Sequence, residues 1–211
     1  MKKRILCFGY SNTWGYIAAS GGVRYPEGVR WTSRLAELLG EEYVVIEEGQ
    51  NGRATVWTDP IENHMAGIAY LEPCLESQAP IDLMILMLGT NDTKPYFAVN
   101  EYNIAASAAR LADMAQKSAF GREGSPIKVL LVAPILIDNP APFPGIFDAR
   151  SEEVSRGFAK TYAAEAERLQ CAFLDASQIA QPDPADGIHL SEEGHAKLAQ
   201  AMYEKVKELI G

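Results

Sequence analysis

The chain has 211 residues, 47% apolar and 22% charged, a composition that suits a globular protein with a sizeable core. Its 28 acidic and 19 basic residues leave a net charge of -9, which repels phosphates and anionic lipid and so argues against nucleic-acid or membrane partners. No apolar run approaches the ~20 residues of a membrane-spanning helix, no secretory leader pattern precedes Gly9, and Cys7, Cys74 and Cys171 lack metal-ligand spacing, so a cytoplasmic protein without a metal or other cofactor is expected.

Ile5–Phe8 opens the chain as a short apolar run and predicts a strand. A glycine-containing loop is expected over Ala18–Gly28. Arg30–Leu39 then sets Trp31, Leu35, Leu38 and Leu39 on one helical face and stops at Gly40. Tyr43–Ile46 and Leu83–Leu88 predict the next strands, and Ala105–Lys117 a helix. Val129–Ala133 is a fourth strand, and Ile137–Pro144, with three prolines, is a loop. Glu152–Leu169 carries Val154, Phe158, Tyr162, Ala166 and Leu169 at helical spacing, and Ala172–Leu174 predicts a fifth strand. Ser191–Ile210 begins with an N-cap serine and acids in its first turn, and runs on as a helix. Each apolar run reads as a strand buried on both faces. The alternation predicts a single domain over residues 1–211, an α/β fold with a parallel sheet between helix layers.

In such a sheet, ligands bind beyond the carboxyl ends of the strands, where Ser11, Gly52 and Asn91 should emerge. Ser11 lies in Gly9-Tyr10-Ser11-Asn12-Thr13-Trp14-Gly15, two residues past the first run. A serine hydroxyl attacks a carbonyl only when a base takes its proton. Of the three histidines, His195 falls within the last helix and His64 in a loop with no recognisable partner. His189, in Asp186-Gly187-Ile188-His189, has a carboxylate three residues earlier to fix its tautomer and is the candidate base. Asn91, in Gly89-Thr90-Asn91-Asp92, can donate from its side chain into the cleft, and Gly52 can offer a backbone N–H beside it. Taken singly, Ser11 fits a helix cap equally well and Asn91 or Asp92 a turn; their combination and order point to a serine hydrolase.

These blocks, together with Arg4-Ile5-Leu6-Cys7-Phe8-Gly9, Val29-Arg30-Trp31-Thr32, Val45-Ile46-Glu47-Glu48-Gly49 and Met87-Leu88-Gly89-Thr90-Asn91-Asp92-Thr93-Lys94, resemble the SGNH hydrolases, the GDSL-like lipase/acylhydrolase superfamily. They are most similar to its arylesterase/acyltransferase (perhydrolase) branch, and the likeness runs from Ile5 to about His195. The resemblance implies a three-layer α/β/α sandwich with a five-stranded, flavodoxin-like parallel sheet. It implies Ser11 as nucleophile, His189 as base and Asp186 as its orienter, with an oxyanion hole from the Ser11 N–H, the Gly52 N–H and the Asn91 side chain. It further implies short acyl groups such as acetyl, small aryl, alkyl or carbohydrate esters as substrates, transfer to alcohols or peroxide in some members, and assembly into homo-oligomers.

Two positions depart from the family pattern. Tyr10 stands where the family has Asp, and Asn12 where the branch often has Leu. One phenol oxygen cannot replace the several N–H bonds of a carboxylate, so Tyr10 is expected to loosen the serine turn or alter the pocket and lower activity. Trp14, with Tyr10 and Asn12 beside it, is expected to face substrate; Tyr16, Trp57, Tyr96 and Phe97 are further candidates for a pocket wall. The loop Asn139–Phe147 is expected to act as a lid or subunit contact. Two other readings remain at this stage: an impaired relative that binds acylated ligands, resting on Tyr10, and a flavodoxin-like binding protein. In the latter, Trp14 would occupy a place that a phosphate loop reserves for glycine.

Overall fold

Residues 1–62, 66–140 and 143–211 are described by the computed structural model. Strand β1 (Lys3–Gly9) leads through the single turn α1 (Ser11–Trp14) to α2 (Trp31–Leu39) and β2 (Tyr43–Gly49). Then come α3 (Gly67–Gln78), β3 (Leu83–Met87), α4 (Glu101–Lys117) and β4 (Lys128–Ala133). The chain finishes with α5 (Ala149–Arg156), α6 (Phe158–Leu169), β5 (Ala172–Asp175) and α7 (Glu192–Ile210).

The five strands form one sheet in the order β2-β1-β3-β4-β5, with every neighbouring pair parallel. Helices α2 and α7 pack together in one layer, and α4 packs with α3 and α6 in the other. Parallel strands need crossovers, and placing these on both faces buries the sheet's centre. All five residues of β3 are buried accordingly, each full burial of such a side chain contributing ~2 kcal/mol. The crossovers run in opposite directions from β1 and β3, which leaves a crevice between the carboxyl ends of those two strands.

Three expectations need correction. Strands β2 and β5 are not buried on both faces: they are the sheet edges, and nearly all their residues are only half-buried. An edge tolerates charge, so β2 continues through Glu47 and Glu48. Glu47 accepts from Arg30 at 2.8 Å, and Glu48 accepts from the Tyr70 hydroxyl at 3.2 Å. The single helix expected over 152–169 is two helices that part at Gly157. A Cβ there would stand 2.5 Å from Glu101 Cγ on α4, so the chain comes too close to its neighbour for any larger residue. No element is expected from the sequence over α3, which holds together as a helix although it begins at Gly67 and contains Pro73.

Candidate active site

Ser11 is the first residue of α1, separated from the end of β1 by Tyr10 alone. The short helix can lie against β2 because the facing position is Gly49, in register with Gly9. A Cβ on Gly49 would sit 2.2 Å from the Trp14 nitrogen. As an N-terminal helical residue, Ser11 also has a backbone N–H that the helix itself does not use.

Asp186 and His189 come from the turn before α7. Gly187 donates to the Asp183 carbonyl at 2.8 Å, and Asp183 to the His189 carbonyl at 2.7 Å. Gly187 has φ +72, and a Cβ on it would lie 1.8 Å from the Asp138 oxygen, so only glycine fits. Asp186 is fully buried and accepts four bonds. Its Oδ1 takes the N–H groups of Ile188 and His189 at 3.0 and 2.9 Å. Its Oδ2 takes Ala19 N–H at 3.1 Å and faces His189 Nδ1 at 2.7 Å. Burial alone would raise this carboxyl, but the His189 side chain and these backbone donors outweigh it and hold it at about 2. Asp186 is therefore ionised at neutral pH and orients the imidazole.

With Nδ1–H directed to Asp186, the second ring nitrogen is left with its lone pair. That nitrogen, Nε2, stands 2.9 Å from Ser11 Oγ. The ring is held flat by Tyr16, stacked at 4.2 Å and 22°, and edged by Phe143 at 6.1 Å. Ser11 and His189 are 5% and 6% exposed, enough to be reached from the pocket and little enough to exclude most water.

Asn91 follows β3 in a 3-10 turn, Thr90–Thr93. Its Nδ2 gives one hydrogen to the Arg53 carbonyl at 3.1 Å, which leaves the other for the cleft. Asp92 beside it is buried and accepts from Thr55 N–H at 2.9 Å and from the Thr55 hydroxyl, tying the Gly52–Thr55 loop to the end of β3. Burial pushes the Asp92 carboxyl up to about 7 against those bonds. Arg53 donates to the Gly9 carbonyl at 3.0 Å, fastening the same loop to β1. Ser11, Gly52, Asn91 and His189 all line one pocket of about 220 Å³. That is below the usual size for drug-like ligands, ~300 Å³ and above. A larger groove of about 610 Å³ lies at the opposite end of the sheet, around Lys3, Lys128 and Gly211, and contains none of these groups.

The expected substrate contacts fare differently. Tyr10 and Asn12 do not face the pocket; both are completely buried. Asn12 Nδ2 donates to the Tyr10 hydroxyl at 2.8 Å and to the Ile188 carbonyl at 3.1 Å, and Asn12 Oδ1 accepts from Leu190 N–H at 2.9 Å. The two departures thus act as a pair that staples the serine turn to the backbone on both sides of His189. The serine–histidine contact is formed with Tyr10 in place. Trp14 is half-buried under the Arg24 guanidinium, 5.2 Å from its ring, and lies outside the pocket lining. Of Tyr16, Trp57, Tyr96 and Phe97, the first lines the pocket; Trp57, Tyr96 and Phe97 pack on one another.

The residues that reading the sequence passed over are Asn51, Glu62 and Ile188, which complete the pocket with Phe143, Ile146 and Phe147 from the proline-rich loop. Asn51 directly precedes Gly52, a signal that was present in the chain. Nothing local marked Glu62. His64 and the loop residues Ala141 and Pro142 lie outside the described residues. Among the described residues, no three His, Cys, Asp or Glu side chains gather as metal ligands, and no helix is long and apolar enough to cross a membrane.

The family model described as GDSL-like lipase/acylhydrolase matches residues 7–197. No curated protein matches the sequence. Among solved structures, the chain is similar to Est24, a carbohydrate acetylesterase from Sinorhizobium meliloti, at 40% identity over 99% of this chain and 100% of that one, with a TM-score of 0.92. It is similar to the native aryl esterase of M. smegmatis at 38% identity, covering 99% and 100%, with a TM-score of 0.92. A carbohydrate acetylesterase family member from Sinorhizobium meliloti matches at 32% identity over 99% of each chain, with a TM-score of 0.91.

Proposed function

The chain belongs to the GDSL-like lipase/acylhydrolase family, and from that membership we propose that it is a serine esterase that removes short acyl groups, acetyl foremost, from small esters. Its being a carboxylic-ester hydrolase follows from the family and from the esterases it is similar to. The observation that carries the mechanism is the run of contacts Asp186–His189–Ser11, at 2.7 and 2.9 Å.

In the proposed reaction, Ser11 Oγ attacks the ester carbonyl carbon while His189 Nε2 takes the hydroxyl proton. The carbonyl oxygen becomes an oxyanion, received by the Ser11 N–H, the Gly52 N–H and the remaining Asn91 amide hydrogen, each such donor lowering the barrier by ~3 kcal/mol. The tetrahedral carbon then expels the alcohol, which leaves with the proton from His189. An acyl-Ser11 ester remains. Water, activated by His189 in the same way, or an alcohol in its place, attacks this ester and restores the serine. Support for a short acyl group is the small pocket, walled by Tyr16, Phe143, Ile146 and Phe147.

Hydrolysis of p-nitrophenyl acetate, butyrate and octanoate beside Ser11→Ala tests this. Turnover that falls with chain length and is lost in the variant is the expected result. Equal turnover of acetate and octanoate refutes the short-acyl assignment, and activity surviving in Ser11→Ala refutes the nucleophile.

A further inference from the structure

Glu62 is the only carboxylate among the described residues lining the pocket, and a buried ion cluster explains how it is held there. Lys94, three residues beyond Asn91, is 1% exposed. Its ammonium donates to Asp59 Oδ2 at 2.7 Å and to Glu62 Oε2. Asp59 is itself fully engaged. Its Oδ1 accepts the N–H groups of Ile61 and Glu62, both at 2.9 Å, and its Oδ2 also takes the Tyr96 hydroxyl at 2.6 Å. One buried lysine is therefore matched by one buried aspartate, and Glu62 is a surplus negative charge fixed in place.

The Glu62 side chain is 37% exposed, and its neighbour Ile61 is 62% exposed, so this carboxylate stands at the pocket rim. Among the described residues its Oε1 has no hydrogen-bond partner, Lys94 having taken Oε2. Asn51, on the same lining, has a buried Oδ1 that is also without a partner. Two acceptor oxygens thus belong to the same pocket as Ser11, Asn91 and His189. With the acyl group against the wall of Tyr16, Phe143, Ile146 and Phe147, as in the esterase reading above, the rim is left to the alcohol part of the ester.

We propose that Glu62 is a specificity-determining residue. With Asn51 it accepts hydrogen bonds from free hydroxyls on the alcohol part of the ester, and its charge turns away esters whose alcohol part is anionic. The inference rests on the esterase reading above and narrows its substrate class to acyl esters of uncharged, hydroxylated alcohols. Lys94 is a positioning residue that keeps the carboxylate from swinging into solvent. The Glu62 carboxylate discriminates because a hydroxyl donates to its free oxygen, whereas an anion meets repulsion close by.

The test compares kcat/KM for glycerol 1-acetate with that for 4-acetoxybenzoate, using p-nitrophenyl acetate as the neutral reference, in the unmutated enzyme, Glu62→Gln and Glu62→Asp. Glu62→Gln removes the charge and keeps the size. The ratio of the polyol acetate to the anionic acetate, each normalised to p-nitrophenyl acetate on the same protein, is expected to fall about tenfold in Glu62→Gln, chiefly through KM, and to be largely kept in Glu62→Asp. A fall smaller than about threefold in Glu62→Gln overturns the proposal. A second measurement needs no variant: raising the salt from about 10 to about 500 mM should relieve the rejection of 4-acetoxybenzoate by about threefold, and no relief overturns the charge assignment. Failure of the unmutated enzyme on all three esters would instead overturn the esterase reading, and this inference with it.

Discussion

Replacing Asn12 by alanine removes the staple between the two halves of the site. Asn12 makes three hydrogen bonds in a place with no solvent access: to the Tyr10 hydroxyl, to the Ile188 carbonyl and from Leu190 N–H. Its removal leaves the Leu190 N–H and the Ile188 carbonyl buried and unpaired. Each such group costs ~1–3 kcal/mol, and a small cavity adds to that. The expected loss of stability is therefore ~3–5 kcal/mol, a fall in Tm of about 6–20 °C at ~2–4 °C per kcal/mol for a domain of this size. Ile188 and Leu190 flank His189, so the imidazole loses its register against Ser11 as well, and kcat should drop by about tenfold or more. Differential scanning calorimetry and p-nitrophenyl acetate turnover read the two effects. Asn12→Leu separates volume from polarity: it refills the space without restoring a bond, and it should be nearly as damaging as alanine. A leucine variant with full Tm and full kcat would refute the reasoning, because packing alone would then account for the site.

Three further outcomes are expected. Asp186→Asn should lower kcat by ~10³-fold or more, since an amide that donates to Nδ1 leaves His189 in the wrong tautomer; in thermal melts the unmutated protein should lose the contribution of Asp186 as pH falls from 3.8 through about 2, because the folded carboxyl binds its proton less readily than the unfolded one, and the variant should not show that loss. His195 is buried on α7, accepts Trp31 N–H at 3.2 Å, and burial together with nearby Arg34 brings it from 6.5 down to about 3, so its contribution is present above pH 6.5 and lost as pH falls toward 3; melts of His195→Asn across that window should show a shallower acid decline, and an identical pH profile would contradict this. Tyr10→Asp should lower Tm and leave p-nitrophenyl acetate turnover no higher, because a carboxylate would replace a buried phenol in a space already shaped around Asn12; a gain in turnover would reinstate Tyr10 as a defect.

The order of layers was legible because burial imposes its pattern locally. An apolar run such as Leu83–Met87 calls for a buried strand, and the stripe Leu198, Met202, Val206 on α7 for a face turned to the core. The motif glycines were legible for a related reason, since the spacing of Gly9, Ser11, Asp186 and His189 is a property of the chain itself. The edge character of β2 and β5, the break at Gly157 and helix α3 were not. Each depends on a neighbour that is distant in sequence: the end of the sheet order, Glu101 on α4, and a surface that overrides the propensities of Gly67 and Pro73.

The same division runs through the site. Residue chemistry alone nominated a hydroxyl, an imidazole, a carboxylate and an amide donor. That Ser11 Oγ meets His189 Nε2 across 178 positions was decided by the sheet, which brings the end of β1 and the turn before α7 to one crevice. Tyr10 and Asn12 show why the sequence misleads there: beside a nucleophile they read as substrate contacts, yet their side chains turn inward and make one hydrogen-bonded unit. Glu62 left no local trace, for its place depends on Lys94 burying its charge against Asp59. A chain declares which groups it carries, because that is covalent; which groups share a cavity is a property of packing, where burial forces every charge and amide to find a partner.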